Sequence, residues 1–178
     1  LPDIVYYFKS DVFQELHIED AKKDDEVLFL ILKEDKERVE ITADDFYPIG
    51  VRGKFLSSDD NGTISVRTTD RVNIMQAEVD DTGIHASITL REDMEDLSPE
   101  ERKERYGKLR DSLLKFVQGF QWGIMARGYI LHWKSMEETV SSLAGYLSLT
   151  SEEKYEILAE DQISVRTDLM ERAVYEFM

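Results

Sequence analysis

The feature that most constrains this fold is a long β-hairpin predicted over residues 49–74, IGVRGKFLSSDDNGTISVRTTDRVNI. Apolar residues recur at even spacing on both arms, which places them on one face of a pleated ribbon. The pair Asn61-Gly62 lies between the arms, and both residue types tolerate the positive φ that a tight hairpin turn requires. A two-stranded ribbon of this length is only marginally stable alone. We therefore expect other strands to cover its apolar face and to form an N-terminal β domain.

Further strands are predicted on both sides of this hairpin. Residues 26–33, EVLFLILK, form a continuous apolar run between charges, which is typical of a buried central strand. Residues 75–79 and 84–90 flank Asp80-Asp81-Thr82-Gly83 and predict a second hairpin. With the β-prone run LPDIVYYF at the start, the N-terminal half holds about five or six strands and few helices. This pattern predicts a small β barrel or closed sheet.

Two stretches of the N-terminal half leave their structure open. Val12, Phe13 and Leu16 fit either one helical turn or a short amphipathic strand. Residues 33–45 form a charged connector. The chain opens on an apolar run without a polar leader, so we expect a cut at this point with a preceding strand lost.

The composition changes at the acidic linker 91–96, REDMED, and helical patterns follow it. Residues 98–101, SPEE, combine an N-cap hydroxyl, a proline at the first helical position and carboxylates near the positive end of the helix. The predicted organisation is a β-rich subdomain over residues 1–94 and an α-helical subdomain over residues 95–178. Strands first and helices afterwards predict an α+β fold.

Apolar residues at helical spacing fill the second subdomain and predict a helical bundle. Ser135 with Glu138 predicts a capping box for one helix, and Thr150 with Glu153 predicts another. The residues expected to form the apolar stripes are Tyr106, Leu109, Leu113, Phe116, Val117 and Phe120 in the first helix, Leu143 and Leu147 in the second, Tyr155, Ile157 and Leu158 in the third, and Val165, Leu169, Val174 and Phe177 in the last.

The charge balance excludes several classes of partner. The chain carries 22 basic and 38 acidic residues, for a net charge of −16. Such a field repels the phosphates of nucleic acids and the headgroups of anionic membranes. There is no cysteine, which excludes disulfides and thiolate metal sites and favours a reducing compartment. No apolar run approaches the length of a membrane span, and no signal sequence opens the chain, so we expect a cytoplasmic protein.

The chain lacks the sequence motifs of catalysis and of cofactor or metal binding. It contains neither a G-x-x-x-x-G-K-[ST] loop nor a G-x-S-x-G elbow, so nucleotide hydrolysis and serine hydrolase chemistry have no predicted site. His17, His85 and His132 lie far apart and do not have the spacing of metal ligands. The acidic turn 59–62 is superficially similar to a calcium loop, but aligning Gly62 with the glycine of such a loop puts Ser57 and Thr68 where carboxylate ligands belong. We therefore predict no catalytic, cofactor-binding or metal-binding residue in this chain.

One aromatic-rich segment is the candidate functional surface. It comprises residues 116–122, FVQGFQW, followed by two more aromatic residues, and several glycines favour a break in the helix here. One interpretation is a helix core, which Phe116 fits best. The other is a partly exposed apolar patch that holds unfolded peptides, since such patches mark interaction sites; Trp133 fits this interpretation best. The candidate substrate-contacting residues are Phe120, Trp122, Tyr129 and Trp133.

Several short segments occur in an order and spacing that is similar to one protein family. They are Leu1-Pro2-Asp3-Ile4-Val5, the run 26–33, Pro48-Ile49-Gly50-Val51, Asn61-Gly62-Thr63-Ile64-Ser65-Val66 with Arg71-Val72-Asn73-Ile74, and Leu143-Ala144-Gly145-Tyr146-Leu147-Ser148-Leu149 followed by Glu153-Lys154 and Ile157-Leu158. Together they resemble the N-terminal domain of the Lon family of ATP-dependent proteases. Two positions depart from the family pattern, because Asp3 replaces a glycine and Ser148 replaces a proline.

The resemblance implies a PUA-like β barrel followed by a helical bundle. It further implies a non-catalytic domain that recognises unfolded, damaged or degron-tagged proteins, supports a homohexamer and feeds downstream ATPase and Ser-Lys peptidase modules. ATP and Mg would bind in those modules and not in this fragment. The alternative is a free-standing PUA-like module for a small molecule or RNA, and the net charge of −16 disfavours RNA. The end of the chain in a helix at Met178 favours the first interpretation, with truncation before another module.

Overall fold

A computed structural model of the chain describes residues 1–9, 22–59, 61–81 and 83–178. The chain folds into two compact units, Leu1–Glu92 and Asp93–Met178. The first unit is a β-sheet and the second is helical. The sequence predicts a boundary after residue 94, whereas Met94 already lies in the second unit. The Met94 N–H donates to the Asp161 carbonyl at 2.7 Å, and its carbonyl accepts from the Ile163 N–H at 3.0 Å. These hydrogen bonds tie Met94 to the helical unit.

The β unit is built around one long strand. Its elements are β1 (Val5–Lys9), β2 (Glu26–Phe29), β3 (Ile49–Ser58), β4 (Thr63–Asp80) and β5 (Gly83–Arg91). The strand order is β1-β4-β3-β2, every pair is antiparallel, and β5 also pairs with β4. The sequence predicts a separate strand up to residue 74 for the first hairpin and another over residues 75–79 for the second. In the structure these two arms are one strand of 18 residues, β4, which takes part in both hairpins.

The first predicted hairpin is confirmed by the pairing of β3 with β4, in which Phe55 lies opposite Val66. At its turn the Asp59 carboxylate accepts the N–H groups of Asn61 and Thr63 at 2.9 and 2.8 Å. The expected cover is also present, because Phe55, Val66 and a neighbouring isoleucine form a buried cluster with apolar residues of β1 and β2 packed against it. Asp60 and Thr82, one from each hairpin turn, lie outside the described residues.

We expect Gly62→Val to destabilise the β unit by about 1–3 kcal/mol. Gly62 has φ of 77°, a conformation that is strained for a β-branched side chain. Chemical denaturation followed by far-UV circular dichroism measures the loss. Ser58→Val is the control, since Ser58 is an exposed residue with extended backbone in β3 and suits a β-branched side chain. Equal midpoints for the two variants would contradict a turn centred on Gly62.

The predicted central strand over residues 26–33 is wrong in position and length. Strand β2 ends at Phe29, its apolar residues are half-buried, and within the described part of the chain it pairs only with β3. The apolar run then bends and makes a second contact, in which Leu32 bridges to Phe46. The apolar character extends over the whole run because the run makes two separate contacts, and not because a single strand is buried on both faces. The region of Val12, Phe13 and Leu16 lies outside the described residues.

The helical unit contains five helices in its described residues. They are α1 (Pro99–Val117), α2 (Gly123–His132), α3 (Met136–Ser142), α4 (Ser151–Ala159) and α5 (Ile163–Phe177). The predicted caps of α1 and α4 are confirmed as reciprocal capping boxes: Ser98 exchanges hydrogen bonds with Glu101, and Thr150 exchanges them with Glu153. No helix in this part of the chain is long and apolar enough to cross a membrane.

Helix α3 differs from its prediction at both ends. The Ser135 hydroxyl caps the Glu138 N–H at 3.1 Å, but the Glu138 carboxylate accepts from the Lys134 N–H and not from Ser135. The helix ends at Ser142, so Leu143 and Leu147 lie beyond it and outside any helix. The Ala-Gly pair at 144–145 explains the early end, because glycine disfavours helix continuation.

The core of the helical unit lies between α1, α2 and α5. Leu113, Val117 and Ile130 form a buried cluster, and Phe116 and Phe177 pack against it. The stripe predicted for α5 is displaced: Val174 is buried, whereas Val165, Leu169 and Phe177 are half-buried. The buried positions of α5 are Ile163, Arg166, Thr167, Met170, Ala173 and Val174.

Candidate functional site

Helix α2 and the turn before it expose an unusual amount of apolar side chain. Ile124 is 87% exposed, Met125 is 70% exposed and Trp122 is 50% exposed. We define the α2 surface as the exposed apolar residues of this segment: Phe120, Trp122, Ile124, Met125, Tyr129 and Leu131. Single exposed apolar residues are normal on proteins, but a set of six within twelve positions makes this segment a candidate interaction surface.

The sequence of α2 accounts for this exposure. The helix reads GIMARGYILH and is apolar on nearly all sides, but only Gly123 and Ile130 are buried. A helix that is apolar all round is normally enclosed by its protein. Here Gly123 and Ile130 are buried in the helical unit, while the exposed apolar side chains are those of Ile124, Met125, Tyr129 and Leu131. These exposed side chains have no cover among the described residues of this unit.

A close backbone approach positions α2 against the end of α1. The Phe120 N–H donates to the Val117 carbonyl at 3.1 Å, and the Gly123 N–H donates to the Phe120 carbonyl at 3.0 Å. A Cβ built on Gly123 would lie only 2.0 Å from the Val117 carbonyl oxygen. Glycine is therefore required where α2 begins, and it fixes the direction in which the helix leaves the turn.

A row of aromatic rings connects the α2 surface to the core. Phe116 contacts Phe177 edge-on with ring centroids 5.7 Å apart, and it contacts Phe120 in the same way at 5.1 Å. Phe120 stacks on Trp122 at 4.7 Å with an interplanar angle of 15°. Such pairs add specific geometry to apolar burial. The row holds Trp122 in a fixed, half-exposed position at the surface.

Among the four candidate residues from the sequence, three lie on the α2 surface and one does not. Phe120, Trp122 and Tyr129 are exposed, whereas Trp133 is half-buried and packs against the core cluster. The expectation that Trp133 fits the exposed patch best is therefore wrong. Its carbonyl accepts a 2.7 Å hydrogen bond from the Tyr106 hydroxyl, and burial raises the pKa of Tyr106, which keeps that hydroxyl protonated.

Sequence reasoning missed Ile124, Met125 and Leu131, although a signal for them exists. Residues 112–136 contain no Asp or Glu, while the whole chain carries 38 acidic residues. The same stretch holds Lys115, Arg127 and Lys134. An acid-free, apolar stretch in a strongly acidic chain indicates a surface that contacts something other than solvent.

The site has the character of a binding surface. Its members are apolar or aromatic, and they offer area and shape to a partner rather than a nucleophile or a general base. Within the described ranges no group of three His, Asp or Glu residues lies close enough to hold a metal ion.

Comparison with known proteins places this chain in a family. The sequence profile described as "ATP-dependent protease La (LON) substrate-binding domain" matches residues 7–174. A Lon protease from Clostridium beijerinckii is 22% identical over 170 residues, which cover 93% of this chain and 21% of that protein. The chain thus spans about a fifth of the length of this relative.

Two solved structures are similar to the fold. The N-terminal domain of the Mycobacterium avium complex Lon protease aligns over 100% of this chain and 93% of its own length, with a TM-score of 0.57 and 16% identity. A Lon N-terminal domain protein from Xanthomonas campestris aligns over 94% of this chain and 88% of its own length, with a TM-score of 0.48 and 16% identity. The first of these confirms the predicted α+β fold.

The matched profile is a substrate-binding domain and not a catalytic one, which agrees with the prediction that this fragment is not an enzyme. Because the profile covers nearly the whole chain, the protein belongs to the Lon substrate-binding domain family.

Proposed function

We propose that this chain is the substrate-recognition domain of an ATP-dependent Lon-type serine protease and that it captures unfolded, damaged or tagged proteins through the α2 surface. The observation that carries the proposal is the exposure of a helix that is apolar on nearly all sides. The chain matches 21% of the length of a Lon protease, so ATP hydrolysis, Mg binding and peptide cleavage would belong to the remainder of the parent protein. That parent would be a cytoplasmic homohexamer. A PUA-like barrel in the β unit stays a prediction.

The chemistry of the α2 surface favours unfolded clients over folded ones. A folded protein buries most of its large apolar side chains, whereas an unfolded one exposes them along the chain. Removing apolar area from water contributes about 25 cal/mol per Å2, and this contribution does not depend on ion pairing. Binding through the α2 surface should therefore tolerate salt. A client that bound instead through charges would be released as salt rises.

The direct test measures binding of a fluorescently labelled, chemically unfolded protein and of the same protein in its folded form. The chain is displayed on a hexameric scaffold, since multivalency raises the apparent affinity of a weak single site. Without ATP, we expect preferential binding of the unfolded form that persists from about 50 mM to about 500 mM NaCl. Equal binding of the two forms, or release of the unfolded form at high salt, would contradict the proposal.

Variants of the α2 surface test where the client binds. The triple variant Trp122→Ser, Ile124→Gln and Met125→Gln removes exposed apolar groups without opening the core. Serine is also well tolerated at residue 122, which is the N-cap of α2 and makes no side-chain capping bond. We expect about tenfold weaker binding of the unfolded protein, because a few central apolar anchors dominate such interfaces.

The matched control is Tyr146→Ser, which removes a 73% exposed aromatic residue from the same unit but outside the α2 surface. We expect this variant to bind the unfolded protein as the wild type does. A similar loss in both variants would mean that apolar area anywhere on the unit supports binding, and the α2 surface would not be the site.

A further inference from the structure

The helical unit contains a cavity of about 290 Å3 at the first turns of α1 and α3. Its residues come from three elements of this one unit, since Thr167 of α5 also contributes. The apolar part of the wall includes Pro99, the Tyr106 ring and the buried Met136. This volume lies at the small end of the range for ligand pockets and suits a group of about the size of one amino acid.

The rim of the cavity is basic, although the chain has a net charge of −16. Arg102, Lys103 and Lys134 line it, and Glu137 is the single acidic lining residue. Glu137 is already occupied, because it accepts a 3.1 Å hydrogen bond from the Arg102 guanidinium. The ammonium groups of Lys103 and Lys134 have no carboxylate partner in the part of the chain that the structure describes.

Lys103 and Lys134 are both exposed and line the same apolar cavity. An external anion bound between them would gain charge-assisted hydrogen bonds for which no carboxylate of the described residues competes. The apolar wall requires that this anion adjoin an apolar group. The cavity thus matches a carboxylate next to a single apolar side chain.

We propose that this cavity binds the C-terminal residue of a polypeptide, with its carboxylate at Lys103 and Lys134 and its apolar side chain against Pro99, Tyr106 and Met136. Internal segments of a chain carry amides where the terminal residue carries a carboxylate, so they lack the charge that the rim recognises. The inference rests on the proposed function and deepens it, because it names a free apolar C-terminus as a substrate class. A free small carboxylate has the same chemistry, and the experiment separates the two sources.

The test uses an N-terminally labelled peptide that ends in leucine, either as the free acid or as the C-terminal amide, with fluorescence anisotropy as the readout at low salt. We expect the free acid to bind about five- to tenfold tighter, since two exposed ion pairs are lost with the amide. In the double variant Lys103→Met with Lys134→Met, the free acid and the amide should bind with equal affinity, so that the acid-over-amide ratio falls to about one. The matched control, Lys115→Met with Lys154→Met, removes the same charge from lysines that do not line the cavity and should keep it.

A second arm uses N-acetyl-leucine and N-acetyl-leucinamide, with the Met136 methyl resonance as the readout. We expect N-acetyl-leucine to shift this resonance and to displace the free-acid peptide, and we expect the amide to do neither. Equal affinity for peptide acid and peptide amide would overturn the proposal. Binding of N-acetyl-leucine without binding of the free-acid peptide would also overturn it, because the cavity would then accept only a small carboxylate.

These outcomes are independent of the proposed function. A chain that keeps its acid-over-amide ratio but fails to bind unfolded protein contradicts the α2 surface and supports the cavity. A chain that binds unfolded protein but shows no ratio contradicts the cavity alone. The triple variant at Trp122, Ile124 and Met125 should keep the ratio, since none of these residues lines the cavity.

Discussion

Replacing Gly123 with alanine is expected to destabilise the helical unit by about 3 kcal/mol or more. The new Cβ would lie 2.0 Å from the Val117 carbonyl oxygen and 2.9 Å from its carbonyl carbon. Both atoms belong to the backbone, so no side-chain rotation relieves the clash. The turn between α1 and α2 must move, and the cluster of Leu113, Val117 and Ile130 would lose its packing.

The two tryptophans make this loss measurable in isolation. Trp122 and Trp133 both lie in the helical unit, so their fluorescence during chemical denaturation reports the unfolding of that unit. Gly119→Ala is the matched control, because a Cβ at Gly119 meets its nearest atom at an ordinary 3.6 Å. An unchanged denaturation midpoint for Gly123→Ala would show that α2 does not begin at this close contact. Client binding should fall together with stability, since the α2 surface depends on the same turn.

Replacing Arg166 with methionine is expected to destabilise the helical unit by about 2–3 kcal/mol. Arg166 is 3% exposed, and its guanidinium donates to the Asp93 carboxylate at 2.8 Å and from Nε to the Glu160 carbonyl at 3.1 Å. It therefore ties the first residue of the unit to the end of α4 and to α5. Methionine fills a similar volume but removes this donor from the Glu160 carbonyl and this ion pair from the Asp93 carboxylate.

The control for this prediction is Arg172→Met, at an exposed position on the same helix. We expect a change within about 0.5 kcal/mol there, as is usual for surface substitutions. Asp93→Asn should fall between the two variants, because the Asp93 side chain is partly exposed and an amide oxygen still accepts the hydrogen bond. If Arg166→Met and Arg172→Met had equal denaturation midpoints, the hydrogen bonds of Arg166 to Asp93 and Glu160 would contribute nothing to stability.

Features that depend on local stereochemistry were predictable from the sequence. The hairpin turn requires positive φ at Gly62, and the reciprocal bonds of Ser98 with Glu101 require only their spacing. Asp3 has a φ of 60°, which lies in the region that glycine adopts freely and that Asp tolerates. The resemblance to the Lon family would place a glycine at this position, which fits the observed backbone conformation.

Features that depend on which surfaces meet were not predictable in the same way. The run 26–33 is apolar throughout, yet only the folded chain shows that it divides between a strand beside β3 and a bridge to Phe46. Trp133 and Trp122 are equally apolar, yet the first packs in the core and the second is half-exposed. Periodicity records that a side chain is apolar and not what covers it.

The sequence by itself determined the succession of strands and then helices, the two hairpin turns, the caps of α1 and α4 and the family, because each depends on neighbouring residues or on motifs in a fixed order. It predicted a break where the structure has α2, and it predicted a reciprocal capping box for α3 that does not form. The tertiary structure alone decided that α2 is exposed and that Lys103 and Lys134 share the rim of one cavity. These two lysines are separated in sequence by most of α1, a turn and the whole of α2, and only the packing of α1 against its neighbours brings them together. Burial and proximity are non-local properties, and they arise when distant segments compete for the same core.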